Sequence, residues 1–229
     1  MNYLQTTIQY VKDNPKCRLS FIVSSLYRLL GRNQIKIVGT GNKLLSKNTY
    51  MRRCKVVIHG SGNVIDLGQA ANYLTGCNIY IYGNYNVIHL GERNVFLKAD
   101  LYIEDDGSKI TFGSRNRILG FTHVAACEGK SVSFGDGCLF STDVIFRNTD
   151  SHAILDNESG ERINPAKPIK IGDRVWFGNK TTILKGVTIE DDCVVATGAI
   201  VTRDVPANSI VAGVPAKVVK TGIIWRLQR

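Results

Sequence analysis

The sequence predicts an all-β fold, a β-solenoid, and three features of the 229-residue chain predict it. From Ile171 onward the chain divides into six consecutive blocks of six residues, each opening on an apolar residue. Upstream, aligned glycines recur at intervals of 23, 22 and 22 residues: Gly68, Gly91, Gly113 and Gly135. From Gly135 to Gly172 the interval grows to 37, because a polar stretch at residues 147–168 interrupts the repeat. Self-similarity at a fixed period is typical of stacked repeat architectures.

The six-residue blocks predict a short flat strand followed by a turn. They read IGDRVW, FGNKTT, ILKGVT, IEDDCV, VATGAI and VTRDVP. A six-residue period fits neither the 3.6-residue period of a helix nor plain strand alternation. Three such sides close one coil of about eighteen residues, and the first residue of each block then points into a triangular prism. The earlier coils are a few residues longer, and glycine and asparagine supply the positive-φ corners.

The N-terminal part, residues 1–35, is predicted to be a separate basic helical segment before the solenoid at 36–212 and a tail at 213–229. Its apolar positions fall on one helical face: Leu19, Ile22, Val23, Leu26, Leu29 and Leu30. The helix is expected to end at Gly31. The segment caps the open end of the solenoid, packs on a neighbouring subunit or lies on a membrane surface. We favour the cap.

The net charge of +10 comes from the first quarter of the chain, since residues 1–55 hold eleven Lys/Arg and one acid. A basic block attracts nucleic acid, anionic lipid or an acidic glycan, or is simply a solvated face. No basic motif interleaved with aromatic residues favours nucleic acid. One hypothesis is that this block and the longer early coils build a groove for an extended acidic polysaccharide.

The compartment is predicted to be the cytoplasm, with peripheral contact at the inner face of the membrane left open. No run of eighteen apolar residues occurs, and the N-terminus lacks the order of a secretory signal. The six cysteines form no CxxC pair and are expected to be reduced, mostly buried thiols.

The six-residue blocks, followed by Ile210-Val-Ala-Gly-Val-Pro-Ala-Lys217, resemble the hexapeptide-repeat acyltransferases, and in particular bacterial capsule and galactoside-type O-acetyltransferases. The resemblance is strong over 130–221, continues weakly from about residue 54 and is absent from the N-terminal segment. It implies a left-handed parallel β-helix, an exception to the right-handed crossover rule. It also implies a homotrimer with active sites between subunits, acetyl-coenzyme A as donor and no metal.

The same resemblance implies a catalytic histidine in an extruded loop that precedes a Val-Trp block. His152 matches this position, and Trp176 lies downstream in Val175-Trp-Phe-Gly178. A sugar hydroxyl is a poor nucleophile until a base takes its proton, and histidine titrates near neutral pH. The attack develops an oxyanion, which needs fixed donors such as a main-chain amide. We expect Asp150 or Asp143 to orient the imidazole.

Trp176 either walls the acyl or acceptor pocket or lies at a subunit contact, and both can hold. The other three histidines are expected to be ordinary side chains of the solenoid wall: His59, His89 and His123.

Coenzyme-binding positions carry over to the last coils by the same resemblance. The residues that match are Gly178, Asn179, Thr197, Thr202, Arg203, Lys217 and Lys220. Asn179 matches a contact to the pantetheine arm, and the two lysines match basic positions near the nucleotide phosphates. Cations suit this end because coenzyme A is polyanionic.

The predicted function is acetyl transfer to a sugar hydroxyl of a surface polysaccharide, such as capsule or O-antigen, or of its precursor. N-acetylation of an amino sugar nucleotide and a non-catalytic glycan-binding solenoid are the alternatives. A zinc enzyme of the carbonic-anhydrase type is disfavoured, because that family has two histidines five residues apart and none of the four here are so spaced.

Overall fold

The computed structural model describes residues 30–68 and 70–228. Residues 1–29 of the predicted N-terminal helical segment therefore lie outside the described residues. The described chain is a triangular prism of 24 strands, numbered here in chain order, whose three faces are three sheets. Within these residues there is no helix of the length and apolar character needed to cross a membrane.

Sheet A, the first face, has eight parallel strands: β1 (Gln34–Val38), β4 (Lys55–His59), β7 (Asn78–Tyr82), β10 (Ala99–Glu104), β13 (Thr122–Ala126), β16 (Val144–Arg147), β19 (Thr182–Leu184) and β22 (Ile200–Val201). Sheet B has seven: β2 (Lys43–Leu45), β5 (Val64–Asp66), β8 (Val87–Leu90), β11 (Lys109–Phe112), β14 (Ser131–Phe134), β17 (Ile169–Ile171) and β20 (Thr188–Ile189).

Sheet C has nine strands: β3 (Thr49–Arg52), β6 (Asn72–Thr75), β9 (Val95–Leu97), β12 (Arg117–Ile118), β15 (Leu139–Phe140), β18 (Trp176–Phe177), β21 (Val194–Val195), β23 (Ser209–Gly213) and β24 (Ala216–Thr221). The last strand, β24, folds back antiparallel on β23. We call the corners between successive sheets the A–B, B–C and C–A corners.

The register of sheet A confirms the predicted repeat. Asp100 pairs with His123, one coil of 23 residues later, and Thr182 pairs with Ile200 after 18 residues. Between them, Ile145 pairs with Thr182 across 37 residues, because the polar stretch leaves the prism after β16 and rejoins it at β17. The predicted all-β solenoid with an extruded loop is therefore confirmed.

The core is a column of apolar side chains along the inside of the prism. The opening residues of the six blocks are all buried, as predicted: Ile171, Phe177, Ile183, Ile189, Val195 and Val201. Phenylalanines from all three sheets meet at the centre, with ring centroids 4.2 Å apart for Phe112 and Phe134 and 5.0 Å apart for Phe140 and Phe177. Because these rings pack against rings of the next coil, the close-packed core fixes the position of each coil relative to its neighbours.

Two features hold the corners in register. At the B–C corner, a buried asparagine side chain accepts a backbone hydrogen bond from the next coil, as Asn116 Oδ1 does from Cys138 N at 2.8 Å. At the A–B corner, Gly60 has a φ of 140°, and a Cβ there would lie 1.9 Å from Gly83 O. Only glycine fits such a close approach of two backbones.

Candidate active site

The polar stretch predicted to be an active-site loop is an ordered hairpin at the A–B corner. Leu155 and Arg162 form an antiparallel bridge, and Ile163 N donates to Ile154 O at 2.9 Å. At the tip, Gly160 N donates to Asp156 O at 2.9 Å. The segment is therefore not structureless, although it makes no contribution to the three sheets. His152 lies near its start, with an exposed side chain.

The base of the loop is clamped by Glu128, which follows β13 one coil earlier. The Arg162 guanidinium donates to both carboxylate oxygens of Glu128, at 2.7 and 3.0 Å. Thr149 Oγ1 and Ala166 N add hydrogen bonds of 2.9 and 3.1 Å to the same carboxylate. The hydrogen bonds from Arg162 lead the causes that lower the pKa of Glu128 from 4.5 to about 2. Sequence reasoning did not single out Glu128, since its partners lie up to 38 residues away.

We expect Glu128→Gln to loosen this loop while leaving the prism intact. A charge-assisted hydrogen bond contributes about 1.5–3 kcal/mol, so hydrogen exchange of the Ile154 and Ile163 amides should accelerate at least tenfold. In the native protein the depressed pKa of Glu128 keeps the clamp fully present above pH 4.5, and it is lost as the pH falls towards about 2. The variant should lack this acid-dependent step.

Glu158→Gln is the matched control for that measurement, because Glu158 is an exposed acid at the loop tip. It should exchange as the wild type does. Equal protection of the two amides in wild type and Glu128→Gln would show that the clamp does not order the loop.

Asp150 holds the backbone around His152. Asn164 Nδ2 donates to Asp150 Oδ2 at 2.9 Å and to His152 O at 2.8 Å. Lys185 forms an ion pair with Asp150 and donates to Asn164 O at 3.1 Å. The hydrogen bond from Lys185 is the main cause of the lowered pKa of Asp150.

The contacts of Asp150 within one copy of the chain are to Lys185, Asn164 and the main chain of His152. In the described chain the Oδ2 atom of its carboxylate accepts hydrogen bonds from Lys185 Nζ and Asn164 Nδ2. Asp150 thus positions the main chain of His152, whose N–H donates to Asp150 O at 2.8 Å. Asp143 precedes β16 and lies at the opposite C–A corner. Orientation of the ring by either acid remains a prediction.

The predicted residues divide between two corners of the prism. His152, Thr202 and Arg203 follow strands of sheet A and lie at the A–B corner, His152 two coils from the other two. Trp176 on β18, with Asn179 and Thr197, lies at or before the C–A corner. Gly178 and Thr197 stack on consecutive coils, and a Cβ at Gly178 would lie 2.7 Å from Thr197 N.

A cavity of about 420 Å³ at the C-terminal end of the prism brings together three of the predicted coenzyme-binding residues. Its lining is Thr202, Arg203, Asp204, Val205, Val211, Pro215, Ala216, Lys217 and Val218. Arg203 and Lys217 bring two cations and Asp204 one carboxylate to a partly apolar pocket. Lys220 pairs with Ile210 further along β24 and does not line this cavity. Trp176 is 38% exposed, and its ring lies 6.0 Å from that of Trp225.

A second cavity, of about 290 Å³, lies on the outer face of sheet A beside the loop. It is lined by Tyr102, Glu104, His123, Ala125, Cys127, Arg147, Thr149 and Ser151. Ser151 directly precedes His152, so this cavity adjoins the predicted base. Burial, followed by the charge of Glu104, raises the pKa of Tyr102 to about 12 and that of Cys127 to about 11. Both groups are therefore neutral donors at physiological pH.

His123, predicted to be an ordinary wall side chain, forms part of this cavity. Its Nδ1 lies 2.8 Å from Asp100 Oδ2, which fixes the ring orientation. The signal in the sequence is the 23-residue separation of Asp100 and His123, which equals one coil. The described residues hold no group of three or more His, Cys, Asp or Glu placed for a metal ion. A metal-free reaction stays a prediction.

The chain is similar to known proteins in both sequence and fold. A family model described as the hexapeptide repeat of succinyl-transferase matches residues 168–203. A polysialic acid O-acetyltransferase of Escherichia coli O1:K1 / APEC is 39% identical over 134 residues, which is 58% of this chain and 43% of that protein.

Two solved structures share the fold over most of the chain. The polySia specific acetyltransferase NeuO is 30% identical with a TM-score of 0.76, over 85% of this chain and 82% of that one. The polysialic acid O-acetyltransferase OatWY is 26% identical with a TM-score of 0.80, over 86% and 92%. The chain therefore belongs to the hexapeptide-repeat acyltransferase family. It spans about half the length of the curated relatives it matches, 43% and 55% for the first two.

Proposed function

We propose that the protein is an acetyl-coenzyme A-dependent O-acetyltransferase that acts on a sugar hydroxyl of a surface polysaccharide or its precursor. The observation that carries this proposal is the clamped loop. It holds His152 beside a polar cavity on sheet A and two coils from the cavity of Arg203 and Lys217. Two of the similar proteins described above are named polysialic acid O-acetyltransferases, and this supports a polysaccharide acceptor.

Acetyl-coenzyme A would supply an activated acetyl thioester. Arg203 and Lys217 would bind its phosphates, and Val205, Val211 and Pro215 would pack against its apolar parts. His152 would take the proton of the acceptor hydroxyl as the oxygen bonds to the acetyl carbon, and return that proton to the departing sulfur. Because donor and acceptor are held together, no covalent enzyme intermediate is required.

The assembled site is proposed to form between copies of the chain in a homotrimer. His152 lies at the A–B corner, whereas Asn179 and Thr197 lie at the C–A corner, with sheet A between them. One copy therefore presents the base and a neighbour presents the pantetheine contacts. Asp143, at the C–A corner, would then be able to approach the His152 ring of a neighbouring copy.

Thiol release from acetyl-coenzyme A with a panel of acidic and neutral polysaccharides tests this function. We expect release that requires a glycan, together with a mass increase of one acetyl group on the glycan. Absence of release across the panel with the wild-type protein would favour a non-catalytic glycan-binding solenoid. An alkali-stable acetyl group on an amino sugar would favour N-acetylation.

Lys217→Ala is expected to raise the KM for acetyl-coenzyme A about tenfold, with a smaller effect on kcat. The loss of one charge-assisted hydrogen bond, about 1.5–3 kcal/mol, gives this size. Steady-state kinetics at saturating acceptor measures it. Lys170→Ala, an exposed lysine on sheet B, is the control and should stay within twofold. If Lys217→Ala kept the wild-type KM for acetyl-coenzyme A, the cavity that Lys217 lines would not be the donor-binding site.

A further inference from the structure

A third cavity, of about 370 Å³, lies on the outer face of sheet A near the N-terminal end of the described prism, and nothing above assigns it. It is lined by Gln34, Ile35, Lys36, Lys55, Val56, Val57, His59, Tyr80 and Tyr82. The lining comes from three adjacent strands, β1, β4 and β7, whose outward side chains stand in register from coil to coil.

Two tyrosines, one histidine and two lysines share this surface. The ring of His59 stacks on that of Tyr82 with centroids 5.6 Å apart and an interplanar angle of 15°. Lys55 Nζ lies 5.4 Å from the centre of the Tyr80 ring. Flat aromatic faces with polar edges suit the apolar face of a sugar ring, while their hydroxyls and the lysines remain available to its oxygens.

The positively charged lining of the cavity favours a negatively charged ligand. Among the described residues, the nine that line it include Lys36 and Lys55 but no Asp or Glu. The surrounding sequence, residues 31–55, contains seven Lys/Arg and no acid. A carboxylate-bearing sugar would meet the positive charge of Lys36 and Lys55 here.

This cavity lies next to the one beside His152 on sheet A. In the register of sheet A, Tyr80 neighbours Tyr102 and Tyr82 neighbours Glu104, so the two linings share a border. From Lys55 on β4 to Arg147 on β16 there are four coil steps. At 4.7–4.9 Å per strand this is about 19 Å, which is longer than one sugar ring.

We propose that the outer face of sheet A, from the Lys55–Tyr80 cavity to the Arg147 cavity, is a binding track for an extended carboxylate-bearing polysaccharide. The Lys55–Tyr80 cavity is a remote subsite that holds the polymer while another of its sugars reaches His152. This inference rests on the proposed function for the identity of the acceptor, but binding can be measured without catalysis.

The test uses the full chain with His152→Ala as background, so that no product forms. Binding of polysialic acid, polygalacturonate and neutral dextran is measured by calorimetry at low and high salt. We expect at least one acidic polymer to bind at least tenfold more tightly than dextran and to weaken with salt. The double variant Lys36→Gln/Lys55→Gln should lower that affinity at least fivefold, and Tyr80→Ala about as much.

Lys109→Gln is the matched control, since Lys109 is an exposed lysine on the outer face of sheet B. It should change affinity less than twofold. In the active protein, Lys36→Gln/Lys55→Gln should raise the KM for the polymer and leave kcat and the KM for a disaccharide of the same sugar unchanged. Equal binding by the double variant and Lys109→Gln would contradict the proposal that this face of sheet A binds the polymer. Equal binding of dextran and both acidic polymers would contradict it as well. Absence of acetyl transfer by the wild type would instead overturn the proposed function.

Discussion

Replacing His152 by alanine is expected to lower kcat for acetyl transfer by a factor of about 10²–10⁴, which is the usual contribution of a general base. The KM for acetyl-coenzyme A should stay within twofold, because the donor cavity of Arg203 and Lys217 lies two coils away. The side chain of His152 is exposed, so its loss removes no packing. Thiol release at saturating donor and acceptor measures the effect.

His89→Ala is the control for that experiment. His89 lies on the outer face of sheet B, exposed, with Nδ1 3.3 Å from Asp66. Its removal should leave kcat unchanged. If His152→Ala kept more than a tenth of wild-type kcat, another group would have to take the hydroxyl proton, and His123 in the adjoining cavity would be the next candidate.

Phe140→Ala is expected to lower the free energy of unfolding by about 3–5 kcal/mol, the range for removing a buried phenylalanine. Phe140 has no exposed surface, and its ring lies 5.0 Å from that of Phe177 and 5.4 Å from that of Phe134. Alanine would leave a cavity that the neighbouring coils cannot close, because their backbones are fixed by the hydrogen-bonded sheets. Denaturant unfolding followed by circular dichroism measures the loss.

Phe121→Ala tests whether the effect belongs to the core rather than to the residue type. Phe121 lies at the C–A corner and is 41% exposed. Its replacement should change stability by less than about 1 kcal/mol. A loss below about 1.5 kcal/mol for Phe140→Ala would mean that the prism repacks, contrary to the stacking described above.

The solenoid was predictable because its repeat can be recognised from short stretches of the sequence. Each six-residue block carries one apolar residue at its first position, and all six of those residues are buried. The glycine spacing of 22–23 residues reappears as the coil step of sheet A, and the 37-residue interval as the loop between β16 and β17. The N-terminal helical prediction lies outside the described residues and remains a prediction.

The candidate site was predictable only in part, because its contacts join residues far apart in the chain. The clamp joins Glu128 to Arg162 across 34 residues, and Lys185 reaches Asp150 across 35. No pattern in the sequence indicated that Lys185, one coil later, pairs with Asp150, and orientation of the His152 ring by Asp150 remains a prediction. The cavity containing His123 could not be recognised until the register placed Asp100 beside it.

The central claim is that the protein forms an acetyl ester on a glycan through His152. Its most direct test is carbon-13 NMR of a polysaccharide, polysialic acid first, after incubation with acetyl-coenzyme A labelled at the acetyl carbonyl. We predict a labelled ester carbonyl on the polymer that mild alkali removes and that His152→Ala fails to produce. An alkali-stable amide, label found only in free acetate, or equal esterification by His152→Ala would contradict the claim.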